Sequence, residues 1–367
     1  MNPTYDEIVK ANSLRGDEIK KTPLIHSPTF SDLTNSEVYL KAEFRQKTGS
    51  FKIRGAYYKI KSLSEEDKKH GVVAASAGNH AQGVAFASSL EKIPCTIVMP
   101  KNASPAKVAA TRGYGANVIL EGINYDESYS KAKEIAKETG AIIIQAFDDP
   151  HIIAAQGVVG LEILEDLPDV DEIYLPIGGG GLAAGTVIAI KEKNPNIKVI
   201  GVQSKSFPSM YESIKQNTRT MIGGEKTIAD GIAVKIPGEL TFEIVKNLID
   251  DIVLVDDICD TAGTLCKAAE VLLEAGATEV HSYISHGVMS GPSIERVTNS
   301  VMKSLVITDS IQPTEAVLNA KNIRIVPIAP LFAQAILNIA QGTSVSSLFD
   351  SAALNTIYEG PLTKLLV

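Results

Sequence analysis

Glu172-Ile-Tyr-Leu-Pro-Ile-Gly-Gly-Gly-Gly-Leu-Ala-Ala-Gly185 decides the fold class. A β-branched and aromatic run ends in four consecutive glycines, and an alanine-rich stretch of helical period follows as far as Lys193, so the order is strand, glycine loop, helix. Four ordered glycines are entropically expensive, and between two buried elements they imply that some group approaches the backbone too closely for a Cβ. A phosphate in a nest of backbone amides is the usual such group. The alternative, a flexible loop, suits a linker, and these glycines do not lie in one.

The same rhythm extends in both directions. Gly71 to Ala75, Cys95 to Met99, Ala116 to Leu120 and Ala141 to Gln145 read as strands, with helices at Asn79 to Leu90, Ala106 to Arg112 and Gln156 to Asp166. Downstream come the strand Lys198 to Val202, a helix over Thr264 to Ala275, and strands at Glu279 to Ile284, Ser304 to Thr308 and Arg324 to Pro327. Short apolar strands alternating with helices predict an α/β fold with mostly parallel sheets.

Composition narrows the function classes. The 367 residues suffice for two or three compact units, and 44% apolar with 21% charged residues is ordinary globular composition. A net charge of -8, with acids and bases interspersed, offers no basic surface to neutralise a phosphate backbone, which argues against nucleic acid as a partner. The opening residues are charged and amphipathic, without a signal peptide's apolar core, and no later run is long enough to span a bilayer. Cys95, Cys259 and Cys266 are too scattered for a disulfide framework and fit no zinc spacing. The expectation is a soluble cytoplasmic protein with neither a membrane partner nor a metal.

Two upstream motifs carry further chemistry. Thr48-Gly-Ser-Phe-Lys-Ile-Arg-Gly-Ala56 sets Lys52 just inside a helix start, where Ser50 can cap and the helix dipole offers positive potential. A lysine there is discouraged from carrying its proton, which suits imine formation through the neutral amine; a plain exposed helix lysine is the alternative. Ser76-Ala-Gly-Asn-His-Ala-Gln-Gly83 follows a strand and opens a helix, so its N–H groups face whatever anion sits above the sheet edge. A substrate carboxylate fits, and a small-residue turn kept for tight packing is the alternative.

In this order and spacing the three motifs resemble the threonine/serine dehydratase family of pyridoxal phosphate (PLP) enzymes, with the tryptophan-synthase-β type of fold. The resemblance covers residues 4 to 255, including Thr22-Pro-Leu24 and Thr227-Ile-Ala-Asp-Gly-Ile-Ala-Val234. It implies PLP fold type II, with a large domain from residues 1–45 and 147–255 and a small domain from 46–146. It also implies PLP as cofactor, with Lys52 as the Schiff-base and catalytic lysine, Phe51 beside the ring and Asn79 on the phenolic oxygen. Gly178, Gly179, Gly180, Gly181 and Leu182 would cradle the phosphate, and Ser76, Gly78 and His80 would hold the substrate carboxylate. In the implied reaction the freed Lys52 amine removes the α-proton, the cofactor absorbs the charge and the β-hydroxyl leaves. Threonine would give 2-oxobutyrate and ammonia, and serine pyruvate.

A further constellation, Leu254-Val-Asp-Asp-Ile-Cys-Asp-Thr-Ala-Gly-Thr264, follows the strand Ile252 to Val255 and leads into a helix. Thr261, Ala262, Gly263 and Thr264 at a helix N-terminus suit a phosphate, while Asp256 and Asp257, with Asp260 in the same loop, suit sugar hydroxyls or a divalent cation. An Asp-capped helix with an acidic turn is the alternative. The motif is similar to the ribose-5-phosphate loop of ribose-phosphate pyrophosphokinase, and the similarity runs on through Ser285-His-Gly and Ile307-Thr-Asp-Ser to Asp350. It implies a ribose 5-phosphate ligand and a phosphoribosyltransferase-like segment over 256–350, followed by a tail over 351–367. Only the C-terminal half of that family is represented.

The dehydratase family continues past this point into a strand ending in Ser-Gly-Gly-Asn, which meets the cofactor's pyridine nitrogen, and no such motif is present. The chain therefore reads as a chimera of two family fragments joined near Val255-Asp256. One expectation is that the appended segment completes the large-domain sheet. The strand Ser304 to Thr308 would then stand in for the missing one, bringing Thr308, Asp309 or Ser310 to the pyridine nitrogen. Both families commonly assemble, which implies a homo-oligomer acting on a small amino acid. Three readings of function stand: a PLP-dependent dehydratase, favoured by the intact lysine, asparagine and glycine loop; a ribose-phosphate-binding protein with an incomplete PLP site; and a fusion of two fragments that merely share a sheet geometry. The six histidines suggest no triad, and Asp148-Asp149 reads as a solvated helix or loop end.

Overall fold

The computed structural model describes residues 3–223, 227, 229–255, 258–259, 262–274 and 278–340. To residue 143 the chain runs α1 (Tyr5–Ser13), β1 (Leu24–His26), α2 (Pro28–Thr34), β2 (Tyr39–Lys41), α3 (Lys52–Lys61), α4 (Glu65–His70), β3 (Val72–Ala75), α5 (Asn79–Leu90), β4 (Cys95–Met99), α6 (Pro105–Gly113), β5 (Asn117–Leu120), α7 (Tyr125–Thr139) and β6 (Ile142–Ile143). It continues with α8 (Pro150–Asp166), β7 (Glu172–Pro176), α9 (Gly181–Lys193), β8 (Lys198–Ser204), α10 (Ser209–Lys215), α11 (Glu239–Leu248) and β9 (Asp251–Val255). Then follow β10 (Ile258–Cys259), α12 (Gly263–Glu274), β11 (His281–Gly287), α13 (Ser293–Asn299), β12 (Ser304–Thr308), α14 (Glu315–Leu318), β13 (Ile323–Val326) and α15 (Ala329–Ala340). Two compact units result, one of Met1–His26 and Tyr39–Val255, the other of Ser27–Val38 and Asp256–Val367.

The first unit holds two parallel sheets, ordered β5-β4-β3-β6 and β7-β8-β9, and a small antiparallel pair, β1-β2. All four residues of β3 are buried, because a parallel strand is covered on both faces. Its alternation sorts them: Val72 and Ala74 pack with Ile53 of α3 and Ala81 and Val84 of α5, while Val73 and Ala75 pack with Ala132 of α7. In the second sheet Ile173 and Leu175 of β7 face Ala183, Ala184, Val187 and Ile190 of α9 and Phe242 and Val245 of α11. Helices α8 and α9 cross in contact at Gly157 and Gly185: a Cβ on Gly185 would fall 2.2 Å from the Ile153 carbonyl oxygen. The helix expected from Gln156 starts earlier, because Asp149 accepts hydrogen bonds from His151 N and Ile152 N and Pro150 supplies the first helical position.

The second unit forms its own parallel sheet, β10-β11-β12-β13, around Cys259, Ala269, Ile284, Leu305 and Ile307. This corrects the expectation that the appended segment completes the large-domain sheet. Among the described residues β12 has both edges taken, by β11 and β13, and no strand of this set bonds to β7, β8 or β9. The strands pair with their chain neighbours, and a strand with two filled edges, such as β12, has none left to offer another sheet.

Candidate functional site

Lys52 opens α3. The loop before it is folded by Gln46, whose side chain accepts from Lys20 N (3.2 Å) and donates to Lys20 O (2.7 Å), and by Gly49 at φ +73°. Ser50 does not cap the helix as its position suggested. Phe51 is the N-cap, in a helical conformation with no side-chain cap, and the buried hydroxyls of Thr48 and Ser50 have no partner. The Lys52 Nζ donates to the Ala146 carbonyl at 2.9 Å and lies 5.3 Å from the Phe51 ring centroid. Burial moves its pKa from 10.5 to about 8. Two residues on, Arg54 ties α3 to Glu43 (2.8 Å) and to the fully buried Glu162 of α8 (2.8 Å), which also takes Arg15 at 3.1 Å and Lys41 at 2.8 Å.

Gly83 lets α5 lie against this helix start, since a Cβ there would sit 3.2 Å from Ile53 N and 3.3 Å from Lys52 O. At the head of α5, Ser76 Oγ accepts from Gly78 N at 3.2 Å, no side chain caps the helix, and nothing lies within 4 Å of a Cβ built on Gly78. A 12-residue helix with no side-chain cap leaves its first N–H groups for another acceptor, an arrangement suited to a carboxylate. Asn79 is exposed at the first helical position, whereas His80 is buried. The His80 Nε2 lies 3.0 Å from the Ile144 carbonyl and so donates to it. Desolvation and the neighbouring Lys52 charge lower its pKa to about 4, so the imidazole is neutral and the group His80 can offer an anion is its backbone N–H.

The glycine loop is shaped by what touches it. A Cβ on Gly179 would meet the Phe147 ring at 2.4 Å, and one on Gly181 the Phe147 backbone at 3.0 Å. Gly180 has φ +100° and is the N-cap of α9, which again has no side-chain cap. Gly178 faces Ile232 and Val234, and Leu182 occupies the first turn of α9. One segment touches all three motifs: Ile144 O binds His80, Ala146 O binds Lys52, and Phe147 packs under the glycines. Sequence reasoning placed a strand over Ala141 to Gln145 but gave this segment no role at the site. Its signal was Asp148-Asp149-Pro150, an N-cap followed by an N1 proline, yet the two acids are not solvated loop ends: Asp149 caps α8 and pairs with Lys59 at 2.7 Å, and Asp148 caps α11.

These residues fit PLP on structural grounds. An amine of depressed pKa suits an aldehyde, an uncapped helix N-terminus cradled in glycine suits a phosphate, and two buried hydroxyls without a hydrogen-bond partner, on Thr48 and Ser50, lie in the loop before the lysine. A pyridoxal-phosphate dependent enzyme model matches residues 16–292. The chain belongs to the pyridoxal-phosphate dependent enzyme family. PLP is its cofactor. Among relatives of this family, the L-threonine ammonia-lyase of Thermotoga maritima is 49% identical over 294 residues, covering 79% of this chain and 73% of that protein. The catabolic L-threonine dehydratase TdcB of Escherichia coli K12 is 47% identical over 283 residues, covering 76% and 86%. The solved structure of maize serine racemase superposes with a TM-score of 0.68 at 33% identity, covering 74% of this chain and 82% of that one. A phosphoribosyl synthetase-associated domain model matches residues 241–350, overlapping the PLP model over 241–292.

In the second unit, Asp256, Asp257, Asp260 and Thr261 lie outside the described residues. Ala262 is buried at φ +57°, Gly263 begins α12 and Thr264 follows it in that helix. Thr308, Asp309 and Ser310 are occupied within their own unit. Thr308 Oγ1 donates to Ser285 O at 2.5 Å, Ser310 Oγ lies 2.8 Å from His286 Nδ1, and Asp309 Oδ1 accepts from Ile328 N at 2.8 Å. The pyridine-nitrogen role expected of them depended on a shared sheet, and among the described residues the two sets of strands lie in separate sheets.

Proposed function

We propose that the protein is a PLP-dependent ammonia-lyase that converts L-threonine to 2-oxobutyrate and ammonia, and L-serine to pyruvate and ammonia. The observation that carries this reading is the Lys52 amine, desolvated and hydrogen-bonded to a neutral carbonyl instead of a carboxylate. Such an amine keeps an appreciable neutral fraction near physiological pH, so it can bond to the cofactor's aldehyde and later accept the substrate's α-proton. PLP, when bound, supplies the electron sink that stabilises negative charge at the α-carbon. Ser76, Gly78 and the first N–H groups of α5, including that of His80, hold the substrate carboxylate. Asn79 faces the cofactor's phenolic oxygen, Phe51 flanks its ring, and Gly178 to Leu182 take its phosphate through backbone N–H groups. Residues 1–45 with 147–255 would form the large domain and 46–146 the small one.

Adding L-threonine to the PLP-loaded protein and following 2-oxobutyrate and ammonia tests the reading. Equal amounts of both are expected, with none from a Lys52→Ala variant; a loaded protein that turns over neither threonine nor serine refutes it. The match over 241–350 favours a second, additional role, binding of ribose 5-phosphate by the loop from Asp256 to Thr264. A rise in melting temperature with ribose 5-phosphate, larger than with ribose or phosphate alone, is the expected sign. Cys95, Cys259 and Cys266 are buried and not in disulfides, which accords with a reducing, cytoplasmic setting, and no helix among the described residues is long and apolar enough to cross a membrane.

A further inference from the structure

Helix α11 has glycine at its N-cap, so it cannot cap itself. Asp148, remote in sequence, does so: its carboxylate accepts from Glu239 N at 2.9 Å, Leu240 N at 3.0 Å and Thr241 N at 3.2 Å. The glycine is required for this approach, since a Cβ on Gly238 would fall 2.3 Å from Asp148 Oδ1. The same helical turn reaches the glycine loop. Thr241 Oγ1 donates to the Gly179 carbonyl at 2.6 Å, and Gly238 N donates to the same oxygen at 3.2 Å. In a planar trans peptide the N–H points opposite to the C=O. Two donors on α11 that hold the Gly179 carbonyl therefore turn the Gly180 N–H away from α11.

We propose that Asp148 and Thr241 are positioning residues for the cofactor phosphate: Asp148 fixes the first turn of α11, Thr241 on that turn pins the Gly179 carbonyl, and the peptide so held presents the Gly180 N–H to the phosphate. The inference rests on the reading of Gly178 to Leu182 as the phosphate cradle. Both side chains are assigned to act through the Gly179–Gly180 peptide. Asp148 also stands two residues after Ala146, whose carbonyl holds Lys52, with Phe147 between them against Gly179 and Gly181. The strap Ala146 to Asp148 thus sets the span between the lysine and the phosphate site.

The test compares PLP with pyridoxal, which lacks the phosphate, by titration of the full-length apoprotein and of Thr241→Val, Thr241→Ser and Asp148→Asn. Each variant is also checked by circular dichroism and by the 31P resonance of bound PLP. Loss of one well-aligned hydrogen bond at the cradle should weaken PLP about tenfold in Thr241→Val while pyridoxal changes less than about twofold. Thr241→Ser should restore both the affinity and the 31P shift, and Asp148→Asn should act in the same direction as Thr241→Val. A folded Thr241→Val that keeps the wild-type preference for PLP, or loses PLP and pyridoxal equally, overturns the inference. If Asp148→Asn does not fold, the Thr241 pair decides alone, because it leaves the helix cap intact. Wild-type protein that binds pyridoxal as tightly as PLP instead overturns the phosphate-cradle reading itself.

Discussion

The lysine's depressed pKa has a kinetic consequence that pH alone can expose. Burial lowers the Lys52 ammonium from 10.5 to about 8. At about pH 7.5 roughly a quarter of such amines are neutral, against roughly one in a thousand for an ordinary lysine, a gain of two to three orders of magnitude in reactive nucleophile. The apoprotein is mixed with PLP across a range from about pH 6 to about pH 10, and the visible band of the lysine-bound cofactor is followed by stopped flow. The rate constant should climb about tenfold per pH unit at low pH, bend near 8 and then level off. A rate that keeps climbing to pH 10 would mean a solvated lysine and would refute the burial argument. Linkage gives a second reading of the same shift. The folded pKa lies below the unfolded one, so between about 8 and 10.5 the unfolded chain binds the extra proton. This group's penalty on the apoprotein is therefore fully present below about pH 8 and is relieved as pH rises towards 10.5.

Three further outcomes follow from the geometry. Glu162, fully buried, is the counter-charge shared by Arg15, Lys41 and Arg54; Glu162→Gln should cost about 3–5 kcal/mol in denaturant unfolding, and a change below about 1 kcal/mol would contradict the assignment. Gly179→Ala places a methyl 2.4 Å from the Phe147 ring; PLP affinity should fall at least about tenfold in titrations while the protein stays folded, and normal binding would argue against a close-fitting cradle. His80, held at about 4 in the folded chain against 6.5 as the ordinary value, makes the protein lose stability as pH falls from 6.5 towards about 4. His80→Gln should flatten that part of the thermal-unfolding profile, and an unchanged slope would assign the acid sensitivity to other groups.

The glycine loop and the motif around Ser76 were legible because only a few physical situations demand glycines between a strand and a helix. Strands β4 and β12 fell where the β-branched runs placed them, since short runs rich in Val, Ile and Thr suit a pleated, largely buried strand. Ser50 misled because a hydroxyl two residues before a helix is a local cue, and the buried site overrode it: the oxygen has no partner, and Phe51 stands at the cap. Asp148 could not be read at all, since its partners lie on a helix some ninety residues away. His80 was placed at the carboxylate by its neighbours, but its side chain turns inward to Ile144. The C-terminal strands were recognised individually; which strands they would join depended on edge satisfaction, a property of the assembled sheet rather than of any run of residues.

The central claim is that Lys52 anchors the cofactor, and chemical trapping addresses it most directly. The PLP-loaded protein is reduced with borohydride, digested, and its peptides are mapped by mass spectrometry. A single phosphopyridoxyl adduct on Lys52, absent from Lys52→Ala, is the expected result. An adduct on another lysine, or none in a protein that still turns over threonine, would contradict it.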